Sequence, residues 1–402
     1  MKSLKQFFKY RETWLGIATA FVFMLIFFSV WMTAYNGVSD RVNQLKIGVT
    51  NQDQNMGTTI EDNLKKNLPF DVKTYQSVDT AKQEMNRRNL DMVIQIPATF
   101  SEQLQTSGRA EINYFINQAN ASLAKQIMEG TAQDVTSTIN DNIYAYKQKV
   151  ILSQLSKQLS TAVPSQELAQ NISASISHAM QSLTLHSIHS SIIKTNNVSG
   201  FPATMVPLLV VLASFVGSMI MSLNLNGAAM KMRQSFNKWS VFLSRQMINV
   251  GAAVLLAVIS LIFMAIFKID LHTPLLETWA FQTLVYFSFL SLTQMFVILF
   301  GPAGMLFNIL SMALQLVTSG VIVPKVMLSD FYQTLGSLLP ATYVADGYYT
   351  VIFGGVSLPN DTSLLLAVSA ITLLIAAVRV LFQRTQLSET SELDELTGQT
   401  EQ

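Results

Sequence analysis

Four histidines, His178, His186, His189 and His272, and no cysteine make up the chain's stock of nitrogen and sulfur ligands and neutral-pH bases. His186 and His189 stand three apart in "HSIH", a spacing that on a helix places both on one face, as a metal could use. No acid or third ligand lies beside them to complete a tetrahedral site, so a solvated polar face is the simpler reading. Serine and aspartate are plentiful, yet no G-x-S-x-G turn occurs. No G-x-x-x-x-G-K-[ST] loop is present to cradle nucleotide phosphates. The sequence therefore predicts no catalytic residue, no metal and no cofactor, and any energy for work must come from a separate ATPase. Sequons at Asn120, Asn171, Asn197 and Asn360 carry little weight in a chain this rich in Asn and Ser.

Polar residues with work to do lie instead inside apolar runs. Asn308, Ser311, Gln315 and Ser319 recur every three or four residues and form one stripe. Amides in hydrocarbon are costly, so this face must turn to a partner helix, a dimer seam or a substrate path. Residues 326–355 are too apolar for a plain loop and too interrupted to span. Gly336, Pro340, Gly354 and Gly355 divide them into two short helical pieces. Tyr332, Tyr343, Tyr348 and Tyr349 supply amphipathic rings of the kind that favour the membrane interface. A broken helix at membrane depth needs cover from protein or a water-filled cavity. The segment is predicted to dip into the outer leaflet and return, with interfacial anchoring as the alternative.

A third group is basic. "MKMRQSFNKWSVFLSRQ" carries Lys231, Arg233, Lys238 and Arg245 and no acid. It reads as an amphipathic helix with Met230, Phe236, Trp239, Phe242 and Leu243 against the membrane. Such a surface suits a docking ATPase or a plain interfacial anchor.

The elements that must position these groups are membrane helices. Of 402 residues, 50% are apolar and 13% charged, outside the range of an ordinary soluble domain. Leu15–Tyr35 is a run of 21 residues without a charge, long enough to cross a core of ~30 Å. Lys2, Lys5, Lys9 and Arg11 precede it, within residues 1–14, and hold that end in the cytoplasm. A cleaved signal peptide is the competing reading, but no good small-residue cleavage site follows. Further spans are predicted at Thr204–Leu225, Ile248–Phe267, Phe281–Phe300, Ala303–Val323 and Leu364–Phe382, giving a five-span domain over 204–382 and six spans in all. "GPAG" joins the fourth and fifth as a tight turn. Ser214, Ser218 and Ser222 place small residues on one face of the second span, where a neighbour can pack closely. The basic loop 226–246 and the pair Arg379 and Arg384 fall on the cytoplasmic side. Residues 383–402 form an acidic tail without periodicity.

Residues 36–200 contain no membrane-length run and balance 14 basic against 14 acidic residues, as expected of an extracytoplasmic domain. Residues 36–117 alternate strand and helix signals, in the order "LKIGVTNQD", "TTIEDNLKKNL", "FDVKTYQ", "VDTAKQEMNRRN", "LDMVIQIP", "AEINYFIN". Residues 118–195 show apolar spacing of three and four at Leu152, Leu155 and Leu159, and again at Leu168, Ile172, Ile176, Met180 and Leu183. With a break at Pro164 they predict a helical hairpin.

The block "LP-x-x-Y-x-x-D-G", formed here by Leu339, Pro340, Tyr343, Asp346 and Gly347 after Pro324, resembles the closing membrane segment of the YhgE/phage-infection-protein family. The blocks "IGVTNQD", "IPATFSEQL" and "INYFINQAN" are similar to the same family's outside domain and come in the same order. That family lies within the type 2 ABC exporter permeases. The resemblance implies a permease of the bacterial plasma membrane, with both termini cytoplasmic, paired as a dimer and driven by a cytoplasmic ATPase subunit. Apolar intramembrane faces with sparse amides suit a hydrophobic or amphipathic cargo, and nothing points to nucleic acid. A cell-surface receptor or scaffold, or a secretion accessory protein, is the alternative.

Overall fold

The computed structural model describes residues 33–106, 108–160, 187–196, 201–233 and 236–383, together with 22, 26 and 29–31; for 154–160 and 201–204 it describes the backbone alone. The basic N-terminus, most of the first predicted span, the Pro164 break with the helix after it, and the acidic tail lie outside the described residues. The chain divides into two compact units, one within Asp40–Asn197 and one from the remainder.

The first unit is built on five strands, β1 (Lys46–Asn51), β2 (Asp71–Thr74), β3 (Met92–Ile96), β4 (Ala110–Asn117) and β5 (Ile188–Thr195), in the order β2-β1-β3-β4-β5. β1 runs parallel to β2 and β3, while β4 is antiparallel to β3 and parallel to β5. Helices α1 (Met56–Asn67), α2 (Val78–Asn86), α3 (Phe100–Thr106) and α4 (Ser122–Ser160) connect them. β3 is apolar and buried at every position but Gln95, which reflects cover on both faces. On one face Val93 and Phe115 pack with Ala81 and Met85 of α2. On the other, neighbouring Tyr114 donates nothing to that cluster; its hydroxyl meets Thr136 Oγ1 of α4 at 2.8 Å. Ser77 starts α2 by accepting from Thr80 N at 3.2 Å, as an N-cap serine should.

The predicted hairpin over 118–195 needs correction. Its first helix is α4, 39 residues long, but 188–195 form β5. The free edge of β4 needs a backbone partner, and the isoleucines of "IHSSIIKT" fit a pleated, half-buried position there. Asn140 of α4 fixes the register, accepting from Ile188 N at 2.7 Å and donating to Ile188 O at 3.1 Å. His189 consequently lies exposed on a strand, without the helix face that the "HSIH" spacing supposed.

The second unit is helical: α5 (Phe201–Met232), α6 (Lys238–Ile266), α7 (Leu275–Phe300), α8 (Gly304–Thr318), α9 (Asp330–Ser337), α10 (Pro340–Phe353) and α11 (Pro359–Leu381). Among the described residues, Met205–Met232, Lys238–Ile266, Leu275–Thr318 and Pro359–Leu381 are long and apolar enough to cross a membrane. The third of these is broken at Gly301–Ala303, where Gly301 adopts φ 63°. The chain folds back there. Phe307 stacks on Phe300 at 4.3 Å and on Phe296 at 5.9 Å, and Asn308 donates to Thr293 O at 3.2 Å. α8 has 15 residues, ~22 Å of helix, short of a ~30 Å core. The predicted 303–323 span therefore stops at Thr318, because Gly320 takes φ 81° and Pro324 follows.

The bundle has two distinct ends. At one, Thr33 Oγ1 and Tyr332 OH lie 2.5 Å apart, and His272 N donates to Val351 O at 2.8 Å. At the other, Lys238 Nζ donates to Leu381 O at 2.9 Å and Gln383 O at 2.8 Å, and Arg379 Nε to Leu299 O at 3.5 Å.

Candidate functional site

The motif residues in 324–347 are brought together by α8, α9 and α10. Leu339 is the N-cap of α10 and Pro340 its first residue, where a missing N–H does no harm. The next donor, Ala341 N, reaches Gln315 Oε1 at 3.2 Å, so an amide of the α8 stripe caps α10. Tyr343 OH donates to Ser337 O at 2.5 Å and Thr342 Oγ1 to Gly336 O at 2.8 Å, tying α10 to α9. Lys325, next to Pro324, forms an ion pair with Asp346. Gly347 faces Phe281 of α7; a Cβ there would stand 2.1 Å from the ring, so only glycine permits this approach. α9 passes from Tyr332, beside Thr33, to Gly336, which lies against Thr318. From Thr342, near Thr318 O, α10 returns to Val351 beside His272.

Three of the four tyrosines do not behave as interfacial anchors, while Tyr343 is half-buried. Tyr332, Tyr348 and Tyr349 are buried, and Tyr348 lies 5.8 Å from Phe281 while Tyr349 donates to Val321 O at 3.4 Å. The same amphipathic ring serves a core as well as an interface. Only the packing partner distinguishes them.

Asn308, Ser311, Gln315 and Ser319 are all buried. Gln315 Nε2 donates to Ser311 Oγ at 3.0 Å, and Ser319 Oγ to Leu316 O at 3.1 Å. These bonds within α8, together with Asn308 to Thr293 O on α7 and Ala341 N of α10 to Gln315 Oε1, satisfy much of the stripe. A further polar set on α7 and α6 went unread in the sequence: Gln282, Ser288, Ser291, Thr293, Gln294 and Asn249, every one buried. Amides in "FQTLVYFSFLSLTQMF" were the available signal, for the reason that flagged Gln315. Gln294 Nε2 donates to Asn249 Oδ1 at 2.6 Å, Ser222 Oγ pairs with Thr293 Oγ1 at 2.7 Å, and Ser288 Oγ with Ser369 Oγ at 2.6 Å. Ser214, Ser218 and Ser222 are buried where α5 meets α7, with Phe215 and Phe289 at 5.6 Å, as their small size suggests. Capacity is nevertheless left over. Both polar atoms of Gln282, Gln294 Oε1, Asn308 Oδ1 and the hydroxyls of Ser214, Ser218 and Ser291 have no partner among the described residues.

The basic stretch is not one amphipathic helix. α5 continues to Met232, and Asn237 caps a new helix by accepting from Trp239 N at 3.0 Å. Lys231, Phe236 and Trp239 remain exposed and Arg233 half-buried. Phe242 packs inward on Ile298, Ala376 and Val380; Arg245 is buried, and Lys238 is spent on the carbonyls ending α11.

In the α/β unit, α1 and α4 flank a cavity of ≈ 720 Å³, within the ~300–1,000 Å³ range of small-molecule sites. Ile60, Leu64, Val135 and Ile139 form its walls, with Asn63 and Asn142 among the polar groups.

Apolar helices of membrane length, enclosing a polar seam and interrupted by an inserted α/β unit, define a polytopic membrane protein. The sequence pattern of the ABC-2 family transporter proteins matches residues 14–379, and the chain belongs to that family. It is a membrane permease of an ABC transporter, a transport subunit and not itself an enzyme, and the family implies an ATPase partner. A search of the curated proteins found no match, and a search of the solved structures found none.

Proposed function

We propose that the chain is the membrane half of an exporter of the YhgE/phage-infection-protein type, paired as a dimer of six-span subunits in the plasma membrane. In this reading residues 36–200 stand outside, and both termini and the Arg-rich end of the bundle stand inside. The cargo is hydrophobic or amphipathic. One observation carries this: an apolar bundle encloses amides and hydroxyls with hydrogen-bonding capacity to spare, beside a helix pair, α9 and α10, too short to span. Such groups can hold a polar head while apolar neighbours meet the rest of the molecule. ATP-driven closure of the partner would move α5 and α6 at the basic end. Motion would pass through α7 and α8 to α10, whose N-terminus depends on Gln315 and whose middle rests on Phe281.

Docking of the ATPase is assigned to Lys231, Phe236 and Trp239, with Arg233 beside them. Arg245 and Phe242 are buried, and Lys238 is held by the carbonyls that end α11. Co-purification from cells tests this: the chain should bring down a nucleotide-binding subunit, and Lys231→Glu combined with Trp239→Ala should abolish capture without lowering the membrane content of the chain. Capture of no such subunit, or undiminished capture by the variant, contradicts the assignment.

The cavity between α1 and α4 favours a second reading, in which the α/β unit binds a ligand or envelope partner and the helices serve as anchor, as in a receptor or secretion accessory. That protein would be indifferent to ATP.

A further inference from the structure

At the Arg-rich end one charge has no answer among the described residues. Arg245 is 4% exposed, and its Nε and Nη2 lack any hydrogen-bond partner there. A buried guanidinium without a counter-charge is strongly destabilising. Arg233 lies within electrostatic range of both Arg245 and Arg379, so three like charges converge. No Asp or Glu occurs in residues 226–246, 294–306 or 370–383, which supply the described part of this end; Glu12 and the acids of the tail lie outside the described residues.

The other cations here are partly answered by helix C-termini, whose carbonyls carry negative potential. Lys238 takes those of Leu381 and Gln383, and Arg379 takes that of Leu299. Arg245 instead sits in the second turn of α6, whose N-terminus adds positive potential. Next to it on α6, Ile248 is 48% exposed, and the outward face of the same helix is apolar, with Leu243 and Met247 59% and 76% exposed.

We propose that Arg245, with Arg233 and Arg379, binds the phosphate of an anionic phospholipid whose acyl chains lie along the exposed face of α6. Guanidinium groups suit phosphate because their planar donors match its oxygens. The exposed Leu243, Met247 and Ile248 favour a lipid over a free anion. This site is separate from the cargo path and shares only Arg233 with the proposed ATPase-docking surface.

The full-length chain, purified in micelles, is titrated with phosphatidylglycerol or phosphatidylcholine, and retained lipid is counted by native mass spectrometry alongside Tm. The wild type should retain phosphatidylglycerol and melt higher with it than with phosphatidylcholine. Arg245→Gln should weaken retention about tenfold or more, while Lys231→Gln, an exposed cation at the same end, should leave it unchanged. In phosphatidylcholine alone Arg245→Gln should melt no lower than wild type, since it removes an unanswered buried charge. Should it melt lower, Arg379→Gln gives the reading on a folded protein. Equal retention of both lipids, or undiminished retention in both arginine variants, overturns the site. Inorganic phosphate protecting as well as the lipid overturns the lipid assignment. So does lipid binding that emerges only after removal of residues 388–402, because the acidic tail would then be the occupant.

Discussion

Asp53 shows how one side chain can start two helices. Its carboxylate accepts from Asn55 N at 3.2 Å, Gly57 N at 2.8 Å, Ser101 N at 3.2 Å and Ser101 Oγ at 2.7 Å, covering the first turns of α1 and α3. Burial pushes its pKa up, but these bonds to the charged form outweigh burial and leave it below the ordinary value. A depressed carboxyl contributes stability that is fully present above the unfolded value of ~3.9 and is lost as pH falls through the folded one. Asp53→Ala should therefore loosen α1 and α3 by about 2 kcal/mol at pH 7. Hydrogen exchange of residues 56–67 and 100–106 checks it. The gap between variant and wild type should shrink below about pH 4; a gap independent of pH would mean that the ionised form is not what holds these turns. None of this was legible beforehand. α3 carries weak periodicity, and the partnership of residues 53 and 101 is a tertiary fact.

At the scale of elements, Lys325 and Asp346 clamp the approach to α9 against the middle of α10. Both side chains are partly exposed, so each single charge reversal should lower stability by about 1 kcal/mol. Lys325→Asp together with Asp346→Lys should recover most of the loss in Tm. Two independent, additive losses would show that the pair does not couple. Elements held by local chemistry were readable in the sequence: β1 to β4, α1, α2, the turn at Gly301 and the division at Pro340 all follow from periodicity and punctuation. β5 was not, since it exists because β4 offers an edge more than seventy residues away in sequence. Hydropathy also misplaced helix ends. It marks where hydrocarbon begins, whereas α5 and α6 continue through Lys231 and Lys238 because a helix needs only its backbone bonds. The buried tyrosines of α10 were misread for a related reason: ring chemistry fits core and interface alike.

For the whole molecule, membership of the ABC-2 family fixes the class, and the two ends of the bundle supply the sense of direction. Residues 33, 272, 332 and 351 gather at one end, and 238, 299, 379 and 381 at the other. Cations concentrate at the second end, and the function proposed above turns that end toward the cytoplasm on the strength of the positive-inside rule. In the sequence the α/β unit directly precedes α5. Cargo release outward, ATPase docking inward and lipid capture by Arg245 all presuppose this one orientation. The chain has no cysteine, so single cysteines report on it without background. Ser137→Cys on α4 and Asp270→Cys between α6 and α7 are exposed, as is Phe236→Cys at the basic end. An impermeant maleimide applied to intact cells should label the first two and reach Phe236→Cys only after the membrane is permeabilised. Labelling of Phe236→Cys in intact cells, or protection of Ser137→Cys, would contradict the account.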